Sequence, residues 1–329
     1  MFVLGIESTA HTFGVGIVSL DGEILANEKS VYVPEKGGIH PREAAQHHSS
    51  VAASIIKKAL EKAEVDFSEI SAISVALGPG LGPCLRTGAT VARFLSLYYD
   101  IPLVPVNHCI AHVEIGRKVN DLEDPLVVYV SGGSTMVLTF VDGKYRVLGE
   151  TLDIALGNMQ DTFALRLGRK VGLKVDVHPV EALAAKATRY ISLPYVVKGQ
   201  DLSFSGLLTA AEKLLEKGYP AEDVCYSLLE TAFSMLCEVT ERALAHTKKE
   251  ELLLTGGVAR SPKLQKMLKL VAETHGAKFA VVPPEYATDN GAMIAWTGFL
   301  AYKHGVSIRV EESFINPKWR PDEVEIPWR

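Results

Sequence analysis

The 329 residues carry 34 Lys plus Arg against 39 Asp plus Glu, a formal charge of -5 at pH 7 with neutral histidines. That mild acidity argues against autonomous binding of RNA or DNA, whose phosphates call for a basic excess, while 47% hydrophobic and 22% charged residues exclude disordered and collagen-like classes. A single core stops growing at about 250–300 residues, so two lobes are expected. The sequence holds no apolar run of about 18 residues for a membrane span, and no Lys or Arg before Glu7 for a secretory signal. Cys84, Cys109, Cys225 and Cys237 form no C-x-x-C pair, and a reduced, cytoplasmic setting is expected.

In chain order, residues 3–6 and 14–19 read as strands joined by a small polar loop, and Asp21-Gly22 turns into a third strand at 23–28. Helical periodicity at Ala45, Ala52, Ile55, Ile56, Ala59 and Leu60 follows, then a strand at 70–76, the loop Gly78-Pro79-Gly80, a helix near 88–98 and a strand at 103–106. The same order returns later. Strands at 126–130 and 136–141 flank Ser131-Gly132-Gly133-Ser134-Thr135, and Asp142-Gly143 turns into a strand at 145–150. A helix near 228–246, a strand at 251–254, the loop Gly256-Gly257, a helix near 262–275 and a strand at 279–282 complete the repeat. A meander followed by helix, strand, helix and strand, written twice, predicts a duplicated α/β fold of two lobes, residues 1–125 and 126–329, around a central cleft. Residues 153–226 are the insertion of the second lobe.

The cleft is expected to receive the loop after Glu7, the Gly78 loop, and whatever follows the last strand of each half. After the first comes Asn107-His108-Cys109-Ile110-Ala111-His112, whose histidines share one face of a helix, as a metal requires of two imidazoles. The equivalent point of the second half places Asp289 toward the same cleft, and Tyr129 is a candidate fourth ligand. Two imidazoles, a carboxylate and a phenolate suit zinc or iron alike. The alternative for Asp289 is a cap on the helix that follows. The Ser131 loop can offer backbone N–H groups to a phosphate or simply turn the chain, and no Walker-type spelling occurs.

Gly5-Ile6-Glu7, Thr9-Ala10-His11-Thr12, Gly38-Ile39-His40-Pro41-Arg42-Glu43-Ala44-Ala45, Gly78-Pro79-Gly80-Leu81-Gly82-Pro83, the His108/His112 pair, Asp201-Leu202-Ser203-Phe204-Ser205-Gly206-Leu207 and Asp289-Asn290-Gly291-Ala292-Met293-Ile294 together resemble the universal tRNA threonylcarbamoyladenosine transferase family. That family is TsaD in bacteria and the catalytic subunit of KEOPS in archaea and eukaryotes. The resemblance spans nearly the whole chain. It implies an actin-like, ASKHA-type fold. It also implies transfer of threonylcarbamoyl from threonylcarbamoyl-adenylate to the exocyclic amine of the adenosine beside the anticodon in tRNAs reading ANN codons, with AMP released. The implied metal ligands are His108, His112, Asp289 and Tyr129, holding one iron or zinc ion. The implied contacts to the adenylate, or to an ATP analogue, are Tyr129, Val130, Ser131, Gly132, Gly133, Ser134, Asp161, Glu181, Gly256, Gly257 and Ser261. The family usually has Asn at the positions of Ser134 and Ser261, Gly at that of Ser8, and Pro-Gly-Gly-Pro where this chain reads Lys174-Val175-Asp176-Val177-His178-Pro179. The implied partners are tRNA and KEOPS subunits: a small kinase-like ATPase, a small dimerising subunit and a regulatory subunit.

Two other classes are weighed. An actin- or sugar-kinase-like ATPase, or a nucleotide-binding scaffold, would carry an early Asp where this chain has Glu7. A metalloprotease wants a Glu between its histidines, and Cys109-Ile110-Ala111 has none. The charge is uneven. Between residues 163 and 198, Arg166, Arg169, Lys170, Lys174, Lys186, Arg189 and Lys198 face only Asp176 and Glu181, a local +5 that leaves -10 elsewhere. Arg166, Arg169, Lys170 and Lys174 are the tRNA-contact candidates, and weak tRNA binding by the chain alone is expected.

Overall fold

The computed structural model describes residues 1–34, 38–169 and 177–329. The first half runs β1 (Phe2–Glu7), β2 (Thr12–Ser19), β3 (Ile24–Val31), α1 (Pro41–Ala63), β4 (Ile70–Gly78), α2 (Gly82–Tyr99), β5 (Leu103–Asn107) and α3 (His108–Asn120). The second runs β6 (Leu126–Val130), β7 (Thr135–Val141), β8 (Lys144–Glu150), then α4 (Leu156–Arg166), α5 (Pro179–Ala184), β9 (Val197–Lys198), β10 (Asp201–Leu202) and α6 (Ser205–Glu216). It continues with α7 (Ala221–Thr247), β11 (Glu251–Thr255), α8 (Pro262–Thr274), β12 (Lys278–Val281), α9 (Pro284–Ala287) and α10 (Gly291–Lys303).

The duplication expected from the sequence is present in the topology. One five-stranded sheet has the order β3-β2-β1-β4-β5 and the other β8-β7-β6-β11-β12, the same path through each. In both, the meander is antiparallel and the strands added after the helices are parallel to its first strand. Each parallel strand needs a helical crossover, which is why helix and strand alternate after each hairpin.

The chain forms two compact units, Met1–Val119 with Val141–Tyr145 and Thr288–Arg329, and Asn120–Phe140 with Arg146–Ala287. The stretch from Thr288 onward, expected with the C-terminal lobe, thus belongs to the first unit. The reason lies in the first sheet. Its alternation puts Leu4, Ile6, Phe13 and Val15 against Ala52, Ile55 and Ala59 of α1 and Ala89 and Ala92 of α2, while Val3 and Val18 face Ala295 and Phe299 of α10. On that second face stand Gly5 and Gly16. A Cβ on Gly16 would lie 2.4 Å from the Ala292 nitrogen, and one on Gly5 would lie 2.1 Å from the Ala295 nitrogen. Bare glycine therefore lets α10 lie directly on the strands. In the second unit, Leu126, Val128 and Val130 join Phe163, Leu207, Leu228, Phe233, Leu264 and Leu268 in one core, and the insertion supplies α4, α5, β9, β10 and α6.

Candidate functional site

α3 begins at His108 and both histidines lie on its first turns, His112 fully buried and His108 nearly so. Their rings are 4.8 Å apart and perpendicular. Nε2 of His108 is 3.5 Å and Nε2 of His112 3.3 Å from the same oxygen, Oδ1 of Asp289. Asp289 is free for this because the neighbouring Asn290 caps α10, its Oδ1 accepting from the Met293 N–H at 3.0 Å; the capping alternative for Asp289 falls to the next residue. Lys29 reaches the same turn, its ammonium donating to the Thr288 hydroxyl at 3.0 Å.

A residue that sequence reading left in the loop completes this cluster. Glu7, fully buried at the end of β1, accepts from Nδ1 of His108 at 2.9 Å through one carboxylate oxygen, and from the Thr9 N–H at 2.6 Å through the other. A carboxylate can only accept, so Nδ1 keeps its proton, and Nε2 faces Asp289, protonated toward that carboxylate or, with a cation between them, offering its lone pair. Burial opposes charge on His108, but Glu7 and Asp289 outweigh it and hold its pKa well above the ordinary value. Burial dominates at His112 and lowers its pKa. At Asp289 burial favours the protonated acid, yet the His108 imidazolium overrides it and holds the carboxyl well below its usual range. Among the described residues, His108, His112 and Asp289 are the group of three able to hold a metal ion, with ligand atoms within 4.8 Å of one another. The donor set fits a cation: two imidazoles and a carboxylate converge where a proton otherwise bridges His108 and Asp289, and the His108 tautomer is set by a second carboxylate.

The other end of α3 is pinned. Glu114, buried, accepts from the Tyr145 hydroxyl at 2.6 Å and from Arg117 at 2.6 Å, and Arg329 donates to the same tyrosine oxygen at 3.1 Å. Burial, with Glu114 adding to it, pushes the Tyr145 phenol well up.

The remaining expected site residues lie in the second unit. Tyr129 is buried at the end of β6, beside Gly256, whose φ of 96° and approach to the Val130 carbonyl exclude a side chain. In the Ser131 turn, the Ser131 N–H donates to the Ser134 carbonyl at 2.8 Å and the Ser134 N–H to the Ser131 hydroxyl at 3.0 Å. Two of the four amides expected to face a phosphate are therefore bonded within the turn. Gly132 and Gly133 are exposed and a Cβ on either meets nothing, so packing does not demand glycine there. Asp161 accepts from His178 at 3.1 Å, and His178 caps α5, which carries Glu181. Burial pushes the Glu181 carboxyl up, against a hydrogen bond from Ser261. Ser261 also caps α8. Glu181 lines a cavity of about 680 Å³ with Arg189, Tyr190, Tyr226 and Lys263. Of the tRNA-contact candidates, Arg166 pairs with Glu212 at 3.0 Å and Arg169 is exposed; Lys170 and Lys174 lie outside the described residues.

The fold is that of several solved proteins. HypF of T. kodakarensis superposes with a TM-score of 0.66 at 16% identity over 92% of this chain and 48% of its own. The Acidaminococcus fermentans (R)-2-hydroxyglutaryl-CoA dehydratase component A gives 0.56 at 17% over 91% and 98%. Both have the duplicated actin-like architecture, the class to which this chain's two sheets assign it. The particular family follows from sequence. The model of the tRNA N6-adenosine threonylcarbamoyltransferases matches residues 23–296. Proteins of that name from Thermofilum pendens and Staphylothermus marinus are 62% and 55% identical, covering 99% of this chain and 97% and 99% of their own. The chain belongs to the tRNA N6-adenosine threonylcarbamoyltransferase family.

Proposed function

We propose that the chain transfers threonylcarbamoyl from threonylcarbamoyl-adenylate to the exocyclic amine of the adenosine beside the anticodon in tRNAs reading ANN codons. The observation that carries the site assignment is the convergence of two imidazole Nε2 atoms on one Asp289 oxygen. His108, His112 and Asp289, with Tyr129 as the fourth ligand, would hold one iron or zinc ion, which would supply Lewis acidity toward the donor. The Gly132 and Gly133 amides face the donor's phosphate, and Asp161, Glu181 and Ser261 mark its nucleoside end. Because the donor is a mixed anhydride, no nucleophilic side chain is required. The tRNA amine attacks the carbonyl carbon, the bond from that carbon to the phosphate oxygen breaks, and AMP departs.

Two competing readings lose support. A protease base must face water on the metal, whereas Glu7 is bonded to Nδ1, on the side of His108 away from Asp289. The same engagement with His108 and Thr9 counts against Glu7 as the base of a kinase-like ATPase. The partners are tRNA and KEOPS subunits (the small kinase-like ATPase, the dimerising subunit and the regulatory subunit), and the setting is cytoplasmic. Among the described residues no helix is long and apolar enough to cross a membrane. A lobe boundary near residue 125 is part of the same reading and rests on the sequence repeat.

The test is metal analysis joined to a tRNA modification assay, with supplied threonylcarbamoyl-adenylate and partner proteins added singly. His108→Ala and His112→Ala should each lose bound metal and lower transfer by at least ~100-fold with the fold intact by circular dichroism. Undiminished transfer in a metal-free double variant would sink the reading, as would ATP hydrolysis without tRNA modification.

A further inference from the structure

Asn107, the last residue of β5, is 2% exposed and uses both ends of its amide. Its Oδ1 accepts from the Cys109 N–H at 2.9 Å and the Ile110 N–H at 3.2 Å, the second and third amides of α3. Its Nδ2 donates to the Trp319 carbonyl at 3.0 Å. The first contact is a helix cap, and it makes His108 the first helical residue. The i, i+4 relation of His108 and His112 exists only while that first turn is wound, and first turns are where helices fray.

The second contact ties the cap to a segment far along the chain that is itself fixed. The Trp319 N–H donates to the Asn316 carbonyl at 3.1 Å, the Asn316 N–H to the Leu77 carbonyl at 2.8 Å, and the Gly80 N–H to the Pro317 carbonyl at 3.2 Å. Asn316 lies so close to Gly78 that a Cβ there would sit 1.9 Å from its carbonyl oxygen. The segment thus lies across the end of β4 and the loop after it, and fastens the start of α3 to both.

We propose that Asn107 is a positioning residue for the His108/His112/Asp289 centre: its side-chain oxygen fixes where α3 begins, and so sets the spacing of the two imidazoles. The inference rests on the metal reading above. Asn107 bonds to the α3 backbone and Trp319 and not to the three ligand side chains, so its signature is a loss of metal affinity in the folded protein beyond any loss of stability.

The experiment uses the full chain with cobalt(II) as probe, titrated against a chelator and followed by its visible absorption. Asn107→Gly removes the side-chain partner of the Cys109 and Ile110 N–H groups and of the Trp319 carbonyl, so the metal-free protein should melt several degrees below wild type, and binding is read well below that melting point. Its cobalt affinity should fall by at least ~10-fold, with an altered absorption band. Asn107→Ser, which restores an acceptor without the amide donor, should recover affinity to within about threefold of wild type. Cobalt binding by Asn107→Gly equal to wild type overturns the inference alone, and so does an Asn107→Ser as weak as Asn107→Gly. A wild-type chain that binds no cobalt overturns the metal reading and this inference together.

Discussion

At the scale of single residues, Glu7 and His48 carry the clearest consequences. Glu7 raises the basicity of His108 and fixes its tautomer, so Glu7→Gln, which can still accept from Nδ1 but lacks the charge, should weaken metal binding by ~10-fold, and Glu7→Ala by more. Chelator competition measures both, and a Glu7→Gln affinity equal to wild type would refute an electrostatic contribution. His48 sits on the buried side of α1, its Nε2 3.0 Å from the Ala10 carbonyl. Its Nδ1 has no hydrogen-bond partner among the described residues. Burial pushes its pKa down to about 4. The unfolded chain takes up that proton near the ordinary value of about 6.5, so between there and 4 the unfolded state binds more protons. Stability should therefore fall as pH drops through that window and be flat above it, by at most about 3 kcal/mol from this group. Urea titrations at pH 7 and pH 5 should show a smaller difference for His48→Gln than for wild type.

At the scale of elements, the decisive contact is α10 on the first sheet, since Asp289 hangs at its N-terminus. Gly16→Ala would drive a methyl into the backbone of Gly291 and Ala292, which cannot yield as a side chain would. It should cost about 3 kcal/mol or more in thermal unfolding and weaken metal binding by displacing Asp289. Gly132→Ala is the control with the opposite signature: a Cβ there meets nothing, so stability should change by less than about 1 kcal/mol, while transfer should drop if a phosphate lies against that amide. This contrast also marks what was legible in the sequence. Hydrophobic periodicity and turn chemistry revealed both meanders and the order of helices after them, because those signals are local. The histidine pair was legible for the same reason, being four residues apart on one helix. Glu7 was not, because His108 stands about a hundred residues away; the cap of Asn107 on Cys109 and Ile110 is local and open to sequence reading, while its tie to Trp319, about two hundred residues away, is not. The glycines of β1 and β2 gave no local sign of α10, which lies on them from the far end of the chain. The alternative of Asp289 as the α10 cap fell to Asn290, one residue on, since Asp and Asn serve that role equally well.

At the scale of the whole molecule, the question is how an acidic chain handles tRNA. The count of seven basic residues against two acidic ones between 163 and 198 is a count along the sequence, and folding alters it. Arg166 pairs with Glu212 of α6, and Arg189 with Asp223 of α7 at 3.3 Å; both acids lie outside the counted window. Two of the seven cations are thus matched locally, and the positive surface is weaker than the +5 read from the sequence. Few phosphates can then be neutralised by this segment, so binding of tRNA by the chain alone should be weak and shallow in salt. A plot of log affinity against log salt concentration should have a slope of about -2 to -4, against about -10 for strong nucleic-acid binders. The residues should separate. Arg169→Ala removes an exposed cation and should lessen that slope by about 1, whereas Arg166→Ala removes one already facing Glu212 and should change it less. Filter binding of tRNA across a salt series measures all three slopes. Equal effects of the two substitutions, or a wild-type slope as steep as -10, would show that this segment's cations are not matched as the ion pairs indicate. If the proposed partner subunits bring the phosphate contacts that a chain with a net charge of -5 does not supply, adding them should steepen the slope.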